Sequence, residues 1–350
     1  MSTGKEPFDA ILIVSFGGPE GPDDVMPFLE NVLRGKRVPR ERMLEVAEHY
    51  KHFGGVSPIN EQNRELIAAL QDEISGTDVD LPIYWGNRNW KPFITDTLEE
   101  MKRDGKKRAI AFFTSMFSCY SGCRQYRENI ADARQQVGEG APLVELVRKG
   151  FNHPGFVSTQ VKLTQKALLK FAEEDRSDAH LLFTAHSIPM SMAEHSRYTL
   201  QLNETAKLVA QEMGHDSCEL VFQSRSGPPQ QPWLEPDICD RIEELVEQGK
   251  KNFVVVPIGF VSDHMEVMFD LDTEAKDVCE KHGVGFSRAE TAGTHPDFIG
   301  MIRELIQERV HDLDSRPAVG ELGPSHDICP VDCCLYPTQR PPAAAGSRPS

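Results

Sequence analysis

Short apolar runs, rich in β-branched and aromatic residues, recur along the chain, and each gives way to a stretch with helical periodicity. The first, Ala10–Phe16, leads through the Gly/Pro turn Gly17–Pro22 toward a helix expected near Asp23–Leu33. Pro82–Gly86 precedes a helix over Pro92–Asp104, and Arg108–Phe113 precedes one over Arg124–Val137. Further on, His180–Thr184, Cys218–Phe222 and Phe253–Pro257 alternate with helices near Ala193–Met213, Asp237–Gln248 and Asp263–His282. Phe156–Glu174 reads as a long helix joining the two series. Strand-then-helix alternation predicts the α/β class: two Rossmann-like halves, each with a parallel sheet flanked by helices.

The halves are expected at residues 1–160 and 161–312. After Val310 the periodicity stops. Residues 313–336 form a Pro/Gly-rich extension that carries three cysteines, and 337–350 is a Pro/Ala/Ser tail of a composition expected to be disordered. At 350 residues the chain is long enough for two halves of about 150 residues each.

Charge narrows the function. Lys and Arg number 38 against 54 Asp and Glu, a net charge of −16, which disfavours nucleic acid as a partner and leans toward cations. The longest apolar runs, Ala10–Phe16 and Phe253–Val261, fall short of the roughly 20 residues of a membrane span. The opening MSTGKEPFDA shows no secretory pattern, so a cytoplasmic location is expected. Eight cysteines are too few for a disulfide scaffold, but Cys329, Cys333 and Cys334 crowd together as metal ligands do.

The first loop, Gly17 to Pro22, lacks the G-x-G-x-x-G spacing, and its prolines remove amides that would hold a phosphate. A tight turn lining some other cleft fits better. Ligands of open α/β sheets bind beyond the carboxyl ends of the strands. Two such ends stand out: one delivers Ala185-His186-Ser187, the other runs from Gly259 through Asp263 and His264 to Glu266. A histidine there suits proton transfer near neutral pH, although strand-end histidines also serve structure alone. Glu266, Asp270 and Glu274 stand four apart, one acidic stripe on a helix, at a cost of a few tenths of a kcal/mol per like-charged pair. Asp263 and Glu266 read as a capping pair, which leaves Asp270 and Glu274 unexplained. A file of carboxylates suits the passage of a divalent cation, or of departing protons.

The segments FDAILIVSFGGPEGPDDV, FGGVSPINEQ, YWGNRNWKPF, FTAHSIPM and PIGFVSDHMEVMFDLD, in this order, resemble the ferrochelatases, which insert Fe²⁺ into a porphyrin. The resemblance runs from about Phe8 to Val310 and is strongest to the actinobacterial type, carried by SFGGPEGPDDV, NRNW and YSGCRQYREN. It implies a chelatase-like fold, coproporphyrin III as substrate, Fe²⁺ as the inserted metal, and the next enzyme of the haem route as an expected partner. Carried over by position, His186 would be the metal-site histidine and Glu266 its partner carboxylate, with His264 and Asp263 beside it. Phe16 falls where some members have an iron-ligating tyrosine, so that ligand is absent here. Ser57 and Tyr126 match porphyrin-contacting positions, and Arg88 and Asn89 lie in a segment that faces the macrocycle. Arg34, Lys36, Arg37 and Arg40 form a basic patch suited to propionates, or a solvated loop.

Some ferrochelatases hold a [2Fe–2S] cluster with one internal and three C-terminal cysteines. The resemblance implies Cys123, Cys329, Cys333 and Cys334 as that set, with Cys119 a spare. Tetrahedral zinc is the rival occupant of four such thiols, and unligated cysteines a third reading.

Overall fold

A computed structural model describes residues 6–35 and 38–337 of the chain; Lys36, Arg37 and the tail from Thr338 onward lie outside the described residues. Two four-stranded sheets form its centre. The first holds β1 (Ala10–Ser15), β2 (Ile83–Asn87), β3 (Arg108–Phe113) and β4 (Leu143–Leu146), in the order β2-β1-β3-β4. The second holds β5 (His180–His186), β6 (Cys218–Gln223), β7 (Asn252–Val256) and β8 (Gly285–Arg288), in the order β6-β5-β7-β8. Every ladder is parallel, so both sheets repeat one topology.

β1 and β3 are buried at every residue, because helices cover both faces of the sheet. That is why they read as unbroken apolar runs rather than as alternating ones. The two strands that the hydrophobic pattern does not predict, β4 and β8, are four-residue edge strands, and Leu143 on β4 is 53% exposed. With few core positions they carry little signal. Three helices also fall outside the predicted set: Arg40–His52, Ile59–Ile74 and Pro296–Val310. The long helix expected over Phe156–Glu174 is Pro154–Leu168 followed by a short turn at Glu173–Arg176.

One core joins the two sheets. Ile11, Ile13 and Phe112 of the first pack in the same apolar cluster as Leu181, Phe183 and Val254 of the second. Leu66, Val161 and Ile302, from the helices Ile59–Ile74, Pro154–Leu168 and Pro296–Val310, belong to it as well. Such burial, at about 1.5–3 kcal/mol per large apolar side chain, fixes the relation of one sheet to the other.

Residues 313–337 have no regular structure but are tied down. Asn152 Nδ2 donates to the Val319 and Gly323 carbonyls at 3.1 and 2.8 Å. Arg148, almost wholly buried, forks onto Glu308 at 2.7 and 2.9 Å and donates to the Pro317 carbonyl at 2.7 Å. Among the described residues, no helix is long and apolar enough to cross a membrane.

Candidate active site

His186 is the last residue of β5, with its side chain 31% exposed beyond the strand end. Its main chain is fixed by the ladder to Gln223 and by the Tyr198 hydroxyl, which donates to its carbonyl at 3.1 Å. The ring Nδ1 lies in a short contact with the Ser187 carbonyl. A carbonyl can only accept, so Nδ1 carries the hydrogen and the neutral ring presents a bare Nε2. That Nε2 faces Glu266 Oε2 at 3.6 Å. Burial lowers the affinity of His186 for a proton, but the Glu266 carboxylate outweighs it, and the pKa is raised.

Glu266 sits in the first turn of the helix Met265–Phe269, half exposed, with His264 Nδ1 4.0 Å from the same Oε2. The single helix expected over Asp263–His282 is broken. Met265–Phe269 opens into a wide π turn over Asp270–Ala275, and α geometry resumes at Lys276–His282. The expected cap by Asp263 does not form: His264 is the N-cap residue and no side chain caps the helix. Arg288 holds Asp263 instead. Asp270 accepts from Gln223 Nε2 at 3.3 Å and closely from the Ser224 hydroxyl. Burial, reinforced by the charges of Glu266 and Glu274, pushes its carboxyl up to about 7. Asp270 therefore senses both other carboxylates of the stripe. Glu274 is raised too, by burial and by Asp237.

The first half supplies a largely aromatic wall. Phe16, 36% exposed just past β1, meets Phe28 edge to face at 6.2 Å, and Phe28 meets Tyr50 and Trp90 likewise. Met265, beside Glu266, packs into that same cluster. His49 stacks on Phe269 at 3.8 Å, a second tie between the halves at this face. Arg88 lies over the rings of Tyr126 at 4.5 Å and Phe16 at 5.7 Å, and donates to Asn129 Oδ1 at 2.8 Å. Tyr126 is buried beneath it. Asn89 is mostly buried, its backbone and side-chain N–H groups both donating to the Phe16 carbonyl. Ser57 packs so closely on Gly18 that a Cβ there would lie 2.8 Å from its Oγ; Gly17, at φ +80°, completes the tight turn. The structure thus gathers the named residues into two groups, one histidine–carboxylate and one aromatic–guanidinium, at the carboxyl ends of the two sheets. Arg34 and Arg40 of the basic patch are exposed.

A second constellation forms where the C-terminal extension docks. Cys123 lies in a wide turn, Tyr120–Arg124, and its thiol is within hydrogen-bonding reach of Cys329. Cys329 reaches Cys333 in turn, and Cys333 Sγ is 3.6 Å from Cys334 Sγ. Arg124 Nη1 donates to the Val331 and Cys333 carbonyls at 2.8 and 3.1 Å, and so holds the segment in place. Cys119 stands apart as the cap of the wide turn, its sulfur accepting from the Gly122 N–H at 3.1 Å. Contact with Cys329 and burial push the Cys123 thiol up. Cys333 is raised to about 11, because Cys334 and burial override the opposite pull of Cys329. Four crowded thiols of this kind ionise together only around a multivalent cation.

Several contributors escape a reading of the sequence. Gln223 ends β6 and Ser224 follows it, and both hold Asp270, while Arg288 ends β8. All three are strand-end residues, the signal that singled out His186. His326 brings Nε2 to 3.9 Å from Cys333 Sγ and shares a donor group with Cys329 and Cys333 whose atoms lie within 4.8 Å of one another.

The fold resembles that of a sirohydrochlorin chelatase from Bacillus subtilis, with a TM-score of 0.51 at 13% identity over 89% of this chain and 99% of that one. A multi-domain chelatase-like protein from Deinococcus radiodurans gives 0.54 at 13% identity, over 86% and 55%. A protein of Rhodopirellula baltica named ferrochelatase is 64% identical over 97% of each chain. A coproporphyrin III ferrochelatase of Streptomyces coelicolor is 48% identical over 98% of this chain and 97% of its own. The ferrochelatase family model matches residues 8–310, which takes in both sheets and every strand-end residue described above. The chain belongs to the ferrochelatase family, enzymes that insert a metal ion into a porphyrin.

Proposed function

We propose that this chain inserts Fe²⁺ into coproporphyrin III, with release of two protons, at the face shared by His186 and Glu266. The observation that carries the chemistry is the Nε2 of His186 facing the Glu266 carboxylate at 3.6 Å. Metallation removes two N–H protons from the macrocycle as the metal enters. A neutral imidazole on a fixed strand end accepts a proton, and Glu266 stabilises the imidazolium that results. Carboxylates suit Fe²⁺ during exchange of its water, so Glu266, Asp270 and Glu274 form its route. Phe16 and Arg88, backed by the buried Tyr126, Asn89 and Ser57, form the wall proposed to receive the flat macrocycle.

Support for coproporphyrin III comes from the actinobacterial relatives named for it and from the exposed Arg34 and Arg40 in an otherwise acidic protein. Coproporphyrin III carries two more propionates than protoporphyrin IX. Exposed ion pairs contribute about 0.2–1 kcal/mol each, so the expected preference in kcat/KM is about 2- to 30-fold. Competition between the two porphyrins for limiting Fe²⁺ measures it, and a preference for protoporphyrin IX rejects the assignment.

The Asp270 carboxyl sets a pH dependence. Below about 7 it is protonated and no longer attracts Fe²⁺; above that it is a carboxylate. The KM for Fe²⁺ is expected to fall as pH rises through about 7, and Asp270→Asn should flatten that fall. A wild-type iron KM that is constant across this range removes Asp270 from the route.

Cys123, Cys329, Cys333 and Cys334 are proposed to hold a [2Fe–2S] cluster. Their sulfurs run as a string in which Cys123 neighbours Cys329 and Cys333 neighbours Cys334, which suits two irons bearing two thiolates each. Tetrahedral zinc, with Zn–S of about 2.3 Å, needs all four sulfurs mutually within about 4 Å. When bound, the cluster would supply one-electron redox chemistry and a cross-link between the extension and the first half.

A further inference from the structure

Arg288 ends β8 and belongs to neither group described above, yet it ties the residue Asp263, just before the helix Met265–Phe269, to Asp272 within the wide turn that carries the acidic route. Its Nε and Nη2 donate to the two oxygens of Asp272 at 2.6 and 2.8 Å, a bidentate fork. Its Nη1 and Nη2 donate to Asp263 at 3.1 and 3.3 Å. Asp263 also accepts from the Thr291 hydroxyl at 3.2 Å, and its own N–H donates to Gln62 of the first half at 2.7 Å. Asp263 comes three positions before Glu266, and Asp272 two after Asp270. One guanidinium, its side chain 15% exposed, therefore joins the two carboxylates that flank Glu266 and Asp270 in sequence.

Charge and geometry give this clamp a task. Asp263 and Asp272 are carboxylates beside a route for a divalent cation, and left uncompensated they would compete for it. Arg288 neutralises both and keeps the attraction on Glu266, Asp270 and Glu274. A π turn has less favourable hydrogen bonding than α-helix and needs support from outside. The fork supplies that support at Asp272, so that Asp270 meets Ser224 and Gln223.

We propose that Arg288 is a positioning residue for metal delivery, keeping Asp263 and Asp272 off the iron route and fixing the spacing of Glu266 and Asp270. This rests on the reading of Asp270 as part of that route. The test is steady-state metallation without oxygen, with Fe²⁺ and coproporphyrin III varied separately, for Arg288→Gln, Arg288→Lys, Asp272→Asn and Asp270→Asn. In Arg288→Gln and Asp272→Asn the KM for Fe²⁺ should rise about tenfold, the scale of a lost charged hydrogen bond, while the KM for porphyrin stays put. Arg288→Lys should recover part of the loss, since it restores charge but not the fork. Asp272 is 37% exposed at its side chain, so Asp272→Asn decides the matter even if Arg288→Gln fails to fold. An unchanged iron KM in Asp272→Asn, or equal rises for both substrates, overturns the proposal. If Asp270→Asn also leaves the iron KM unchanged, the route itself is wrong; if Asp270→Asn alone raises it, only the role of Arg288 is.

Discussion

His186→Ala is expected to give a folded protein whose rate of iron insertion is about 10²–10⁴-fold lower, the usual loss when a positioned proton acceptor is removed. In barrier terms this is about 3–5 kcal/mol. Folding should survive because the side chain projects beyond β5, while the ladder to Gln223 and the bond from Tyr198 hold the main chain. Truncation therefore deletes a part-buried ring at the strand end and opens no core cavity. Porphyrin affinity, followed by fluorescence, should change little, because the wall proposed to face the macrocycle lies on the first half. The loss should appear in kcat rather than in either KM. Turnover close to wild type would move the base elsewhere, and His264, 4.0 Å from Glu266, is the next candidate.

Cys123→Ser is expected to abolish the visible absorption of the protein purified without oxygen, as fully as loss of any tail cysteine. Cys123 is the one proposed ligand from the body of the fold, so without it the extension binds no iron to the first half. Cys119→Ser should keep the colour, because that sulfur caps the wide turn instead of joining the thiol string. The cross-link also bears on stability: the proposed ligands Cys123 and Cys333 are 210 positions apart (333 − 123). Closing a loop of that length constrains the unfolded chain by on the order of 5 kcal/mol. Part of that constraint is already exerted by Asn152 and Arg148 on residues 317–323, so a lower Tm, not unfolding, is expected. Colour retained in Cys123→Ser and lost in Cys119→Ser would name the other cysteine as ligand. Stoichiometric zinc without iron would replace the cluster by a mononuclear site, for which His326, Cys329 and Cys333 are the ready donors.

Legibility in the sequence followed burial. The central strands of each sheet read clearly because helices cover both faces and leave no polar alternation, whereas β4 and β8 bury too little to show. His186 was readable because it ends an unmistakable strand, and Glu266 because family motifs surround it. The π turn was not readable: a spacing of four looks the same on α and π geometry until the Arg288–Asp272 fork is seen. Capping failed for a related reason, since Asp263 had the right spacing to Glu266 but found a stronger partner in Arg288. Gln223 and Ser224 owe their places to contacts with Asp270, more than forty positions away, which periodicity does not report, and His326 joins its near neighbours Cys329 and Cys333 only through an irregular loop.

Proton release during metallation bears most directly on the central claim. In weakly buffered, oxygen-free solution with excess Fe²⁺ and coproporphyrin III, each porphyrin consumed should release two protons. Many turnovers should follow per protein, and His186→Ala should suppress metal insertion and proton release together. Uptake of at most one porphyrin per protein, without sustained proton release, would contradict the account and describe a carrier in place of a catalyst.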